Sequence, residues 1–383
     1  VNLAHILGDG EKWLVDLFHA TIHASEEESA FCKAFTVVTK MFSYYPKSVR
    51  EECGQEIWQQ YTQPLKMTSD GNVDSDSLWK SLYVFYCLKN YFFPLEESVK
   101  EDLVFNLSSD NFWTIVQAGL VGVDPSHRKL SMYLLKRLVD TCNKNKCTLN
   151  APVAGETTSK KFSDKVPLFW WSPKYGDQLT VIWDHFFLMI ETLEEKQVHV
   201  IKPLLPRMQK LLDASSITSE EGLPLLHSSW LVTIVTRCFH HDSIYMSRWG
   251  AQILLNLDLN KVPLVKHHQL KFLSHDLLMY LQENKLYSRY EGTFLGNCSP
   301  IGQALKTFFA NLFSSLTKDQ KVEYLRNLLQ IICDNSWGSI PMVFVFQGLS
   351  HVPADPVVGP ELLQLIRQVL QTCLTFHEIV TRG

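Results

Sequence analysis

Apolar residues recur every three or four positions along nearly the whole chain, the period of a helix with one buried face. In residues 321–332, Val322, Leu325, Leu329 and Ile332 share a stripe, with Lys321, Glu323, Arg326 and Gln330 elsewhere. Thr317 followed by Gln320 has the capping-box spacing, which satisfies two orphan N–H groups at a helix start. Residues 128–140 form a broader face. Leu130, Tyr133, Leu134 and Leu138 make one stripe, and Met132, Leu135 and Val139 widen it, as in a helix covered on two sides. Pro360 announces a last helix with Leu362, Ile366, Val369, Cys373 and Phe376. Polar turns fall at 68–77, 107–110, 213–222 and 296–300. The pattern predicts roughly fourteen to sixteen helices. Apolar runs such as 341–346 are too short to build a sheet, so the fold class is all-α.

Many short antiparallel helices in series predict a HEAT/armadillo-like helical repeat solenoid. Asp124 and Arg128 open one apolar helix, and Asp242 and Arg248 open another. The two aspartates lie 118 residues apart, about three units of ~40–47 residues. Pro203 and Pro206 fit a bent first helix of a pair, because proline removes a ladder hydrogen bond. Residues 143–173 lack helical period. The expected organisation is therefore acidic helical repeats over 1–142, an irregular basic loop over 143–173, and helical repeats again over 174–383.

Composition narrows the class. The chain is 46% hydrophobic and 20% charged over 383 residues, which excludes a disordered tail or a low-complexity architecture. The stretch from Val181 to Ile190 is interrupted by Asp184 and His185, so no membrane span is expected. Nine scattered cysteines without a CxxC pair suit reduced, buried thiols in the cytoplasm or nucleus. Beginning at Val1 with no signal peptide, the chain reads as a stretch of a longer superhelix.

Charge changes the picture more than composition does. The net charge of -4 argues against a nucleic-acid binder until it is divided by region. Residues 1–126 hold 9 Lys/Arg against 18 Asp/Glu, whereas 127–174 hold 10 against 3. That island contains Arg128, Lys129, Lys136, Arg137, Lys144, Lys146, Lys160, Lys161, Lys165 and Lys174, with Phe162, Phe169, Trp170 and Trp171 among or beside them. Spaced cations neutralise phosphates, and aromatic faces stack unpaired bases. The first nine cations, through Lys165, are the candidate RNA-binding residues. The alternative is a solvated loop whose tryptophans pack inward. The acidic first third would suit a basic protein partner.

No catalytic constellation emerges. Glu195 and His199 have the i, i+4 spacing that could place an acid–base or metal pair on one helix face. A third ligand is missing, and a polar helix end explains the cluster equally well. His240, His241, Asp242, His267, His268 and His275 invite a zinc reading, but no spacing matches a structural site. Gly8-Asp9-Gly10 lacks the third glycine of a dinucleotide loop, and there is neither a GK[ST] loop nor a GxSxG elbow.

Several segments resemble the helical region of the large eukaryotic tRNA guanosine 2′-O-ribose methyltransferases. They are NFWTIVQAGL (111–120), RKLSMYLLKRLVD (128–140), LFWWSP (168–173), IWDHFFLMIETLEEKQVHVIKPLLPRM (182–208) and KVEYLRNLLQ (321–330). The resemblance implies a helical-repeat arm that binds or positions tRNA for a C-terminal SPOUT domain. That domain would bind S-adenosylmethionine and methylate a ribose 2′-hydroxyl of a D-loop guanosine. No SPOUT motif has a counterpart in this chain, so no catalytic or cofactor-binding residue is carried over. Expected partners are tRNA and the protein's own SPOUT domain. A HEAT/armadillo protein-interaction scaffold or transport-receptor fragment, with no RNA role, is the competing reading.

Overall fold

A computed structural model describes residues 28–68, 73–95, 110–151, 166–220, 222–284 and 300–334, with isolated positions 16, 20, 286, 345–346, 348–349, 367–368 and 371. Lys160, Lys161, Phe162, Lys165, Gly8-Asp9-Gly10 and most of the helix expected after Pro360 lie outside the described residues. Those described are all-helical apart from three isolated antiparallel bridges. No helix among them is long and apolar enough to cross a membrane. The chain divides into two compact units, one holding residues 1–159 and 167–183, the other 160–166 and 184–383.

The first unit contains α1 (Glu28–Phe42), α2 (Lys47–Tyr61), α3 (Ser75–Cys87), the short α4 (Lys89–Phe92), α5 (Asp110–Val121) and α6 (Pro125–Lys144). Its core is aromatic. Trp58 stacks on Phe112 at 5.2 Å between centroids, and Phe85 meets Phe112 edge-on at 5.2 Å. Each such ring withdraws enough apolar surface from water to contribute about 1.5–3 kcal/mol. α5 and α6 cross at Gly119, where an added Cβ would strike Ser131 Oγ and come within 2.8 Å of Leu82.

α6 starts as its sequence predicts. Asp124 accepts from the Ser126 N–H at 2.7 Å, and Pro125 occupies the first turn, where a missing N–H costs nothing. Its buried stripe is shifted from the expected one. Ser131, Leu134, Leu135, Leu138, Val139 and Cys142 are buried, whereas Tyr133 is exposed and Leu130 half-buried. The helix ends in a Schellman motif: Cys147 N–H donates to Cys142 O (3.1 Å) and Lys146 N–H to Asn143 O (3.4 Å). Lys146 therefore takes the left-handed position, φ 47°, that usually falls to glycine.

α7 (Gly176–Thr192) begins in the first unit and ends in the second. The second unit continues with α8 (Val198–Ile201), α9 (Arg207–Ser216), α10 (Ser228–Phe239), α11 (Ile244–Leu255), α12 (Leu277–Glu283), α13 (Pro300–Ser315) and α14 (Lys318–Asp334). Pro203 and Pro206 break the chain between α8 and α9, leaving a 3-10 turn at Lys202–Leu204. α10 is buried along nearly its whole length, its polar residues Ser228, Ser229, Thr233, Thr236 and Arg237 included.

The capping box at α14 forms: Thr317 N–H donates to Gln320 Oε1 (3.0 Å), and Gln320 N–H to Thr317 Oγ1 (3.4 Å). Its buried face centres on Tyr324, Leu328, Leu329, Ile331 and Ile332, while Val322 and Leu325 are only half-buried. The shift has a partner. α14 packs on a π-helical turn at Phe272–Asp276, and the Tyr324 hydroxyl donates to Leu273 O at 3.2 Å.

Candidate nucleic-acid interface

The described part of the basic island lies on α6 and the turns that follow. One helix turn advances 100° per residue, so Lys129, Lys136 and Lys144 fall on a common outer strip with Tyr133 and Asp140. Lys129 and Lys136 stand about 10 Å apart along the axis at 1.5 Å per residue. Lys129, Lys144 and Lys146 are exposed, and Lys136 is half-exposed. Lys89 reaches over the Tyr86 ring at 4.1 Å and the Tyr133 ring at 5.8 Å, adding another cation beside the strip.

The two arginines of the set are engaged inside the protein. Arg128 Nη1 donates to Gly122 O (2.8 Å) and Val123 O (2.6 Å), covering carbonyls at the end of α5. Arg137 donates through Nε to Phe93 O and through Nη2 to Asn90 Oδ1, both at 2.9 Å. Thr141 Oγ1 and Asn145 Nδ2, one and two turns on, donate to Phe93 O and Pro94 O. This stripe of donors fastens α6 to the segment after α4.

The aromatic half of the RNA reading fails at Phe169, Trp170 and Trp171, all three of which are buried. Phe169 stacks on Trp113 at 4.3 Å and 11°, and Trp183 closes on it at 5.3 Å. Leu149 and Trp171 exchange backbone hydrogen bonds of 2.9 and 2.8 Å, and Asn150 Nδ2 donates to Phe169 O. Rings held this way are core, and no base can stack on them. The two described ends of the basic loop thus lie side by side. Lys146 and Lys174 each stand three residues from the bridged pair.

The polar clusters read as possible chemistry are structural. Glu195 and His199 do not share a helix face, because α7 ends at Thr192 and α8 begins at Val198. Glu195 Oε1 instead accepts from the N–H groups of Lys196 and Gln197. Glu194 pairs with the buried Arg237 at 3.3 Å, and that guanidinium also donates to Leu193 O and His240 O. His241 Nδ1 accepts from Ser243 N–H, and its Nε2 donates to Glu195 O at 2.9 Å. Among the described residues, no group of three or more His, Cys, Asp or Glu is placed to hold a metal ion.

His267, a candidate zinc ligand by sequence, instead forms a buried pair with His227 at the start of α10. His227 and His267 stack at 4.1 Å and 14°. Ser229 N–H donates to His227 Nδ1 (3.2 Å), and Ser228 N–H to His267 Nδ1 (3.3 Å). Both rings are thereby fixed with Nδ1 as acceptor. Burial, with His268 and Lys266 nearby, pushes the His267 pKa down to about 4. Ser228 Oγ lies 2.8 Å from His267 Nδ1, a nucleophile–base distance, but Ser228 is fully buried and no substrate reaches it.

Residues 103–223 match the model of the TARBP1 domain. Over this stretch the chain is similar to TARBP1-domain proteins. The match covers α5 through α9 and contains four of the five segments whose resemblance pointed to this family, all but 321–330. Over 275 residues, the chain is 34% identical to mouse (Mus musculus) tRNA (guanosine(18)-2'-O)-methyltransferase TARBP1, covering 71% of this chain and 17% of that protein. The chain thus spans about a sixth of the length of the curated relative it matches. No solved structure matches it.

Proposed function

We propose that this chain is a helical arm, built of HEAT/armadillo-like pairs, that binds and positions tRNA for ribose 2′-O-methylation of a guanosine. The reaction would be performed by a SPOUT domain of the same protein, with S-adenosylmethionine as methyl donor, in the cytoplasm or nucleus. One observation supports this reading above the others: the basic island at 127–174 lies wholly within the region matching the TARBP1 domain. Lys129, Lys136, Lys144 and Lys146 would meet phosphates together with Lys160, Lys161 and Lys165. Arg128 and Arg137 would hold the surface that presents them. Such an arm grips by charge and shape and leaves base identity to other elements.

The test is tRNA affinity as a function of salt. Counterion release makes the logarithm of affinity fall linearly with the logarithm of salt, and each phosphate contact removed lowers that slope by about one. Replacing Lys160 and Lys161 with glutamate should weaken binding and flatten the slope. Unchanged binding by that variant overturns the assignment.

A protein-interaction scaffold is the second reading. A groove of ≈ 740 Å³ between α9 and α11 favours it, lined by Trp249, Met208 and Ile253 together with the charged Lys202, Lys261, Asp213 and Asp258. Recovery of one stoichiometric protein partner after nuclease treatment, without tRNA affinity, would select it.

A further inference from the structure

We propose that Cys142 and Cys147 form an oxidisable dithiol, closed to a disulfide by peroxide, at the root of the basic loop. The geometry follows from the helix end. A Schellman motif brings the third residue from a helix C-terminus against the second residue past its cap, and those positions are Cys142 and Cys147. Their backbones are joined at 3.1 Å, and their thiols hydrogen-bond to one another. Neither is in a disulfide; Cys142 is buried and Cys147 partly exposed. Lys144 and Lys146 lie between them, so a disulfide would enclose the turn that carries both lysines.

Accessibility sets the order of events. The Cys147 sulfur attacks one peroxide oxygen, the O–O bond breaks, and the departing hydroxide leaves as water with the thiol proton. Cys147 is then a sulfenic acid. The Cys142 sulfur attacks the Cys147 sulfur and expels its hydroxyl, which leaves as a second water with the Cys142 proton. Two thiols lose two electrons and two protons, and peroxide is reduced to two waters. The hydrogen bond to Cys147 and burial hold the Cys142 thiol well above its ordinary pKa, which suits a resolving partner better than a first nucleophile.

The experiment treats the full reduced chain with hydrogen peroxide and maps disulfides by peptide mass. A linked peptide joining Cys142 to Cys147, lighter by two hydrogens and restored by dithiothreitol, is the expected result. In Cys142→Ala, Cys147 should accumulate as a sulfenic acid trapped by a dione reagent. In Cys147→Ser, a smaller change at the partly exposed position, the linked peptide should vanish. The proposal is overturned if either cysteine links elsewhere, or if wild-type Cys147 stays a thiol while other cysteines oxidise. A stable sulfenic acid at Cys147 in the wild type also overturns it.

Discussion

Arg137 Nε donates to the Phe93 carbonyl at 2.9 Å, so a cation that reads in sequence as a phosphate contact is spent on fastening α6 to the segment after α4. Hydrogen bonds from a charged donor contribute about 1.5–3 kcal/mol. Arg137→Ala should therefore lower stability by about that amount, read by urea unfolding. Lys129→Glu, on the exposed strip, should change stability by no more than about 0.5 kcal/mol while weakening tRNA binding. Equal stability losses in the two variants would contradict this division of labour.

Lys146 separates backbone from charge. Its φ of 47° costs a side chain about 1 kcal/mol that glycine does not incur. Lys146→Gly should raise stability by about that much and lower tRNA affinity. Lys146→Ala should lose the charge without the stabilisation. Thermal unfolding and anisotropy titration on the same two variants read both effects.

His267 makes stability depend on acid. Its folded pKa, about 4, lies below its unfolded value near 6.5, so folding favours the neutral ring. The stabilisation is present above pH 6.5 and is lost as pH falls from there towards 4. The linkage is on the order of 3 kcal/mol for a shift of this size. His267→Asn offers an acceptor to the Ser228 N–H without titrating. Its urea midpoint should fall less steeply between pH 7 and pH 5 than that of the wild type.

Gly119→Ala should destabilise by about 1–3 kcal/mol, since the new methyl meets Ser131 Oγ and Leu82 at the α5–α6 crossing. Ser131 Oγ is buried without a hydrogen-bond partner, so Ser131→Ala should be nearly neutral. The double variant should recover part of the loss. Strict additivity in unfolding free energies would show that the two residues do not compete for space.

Much of the architecture was legible because helix signals are local. Asp124-Pro125 and Thr317 with Gln320 cap where their spacing says they should, since a cap is satisfied by its own first turn. Which face became buried was less legible. The stripe expected on α14 was Val322, Leu325, Leu329 and Ile332, yet Tyr324 lies at its centre, because a π-helical turn some fifty residues away offers the Leu273 carbonyl. The candidate interface divides in the same way. The island of charge was plain in the composition of 127–174. The engagement of Arg128 and Arg137 was invisible, because their acceptors are backbone carbonyls that carry no residue signature.

The sequence by itself determined an all-α chain, its main caps, its region of excess positive charge and the family it resembles. These depend on spacing and composition, which survive without coordinates. Only the tertiary structure decided that Phe169, Trp170 and Trp171 are core, that Glu195 and His199 lie on different elements, and that Cys142 meets Cys147. Each of those outcomes depends on where a helix stops or on what a side chain packs against. An aromatic ring is equally suited to a base or to another ring, and the neighbours Trp113 and Trp183 made the choice.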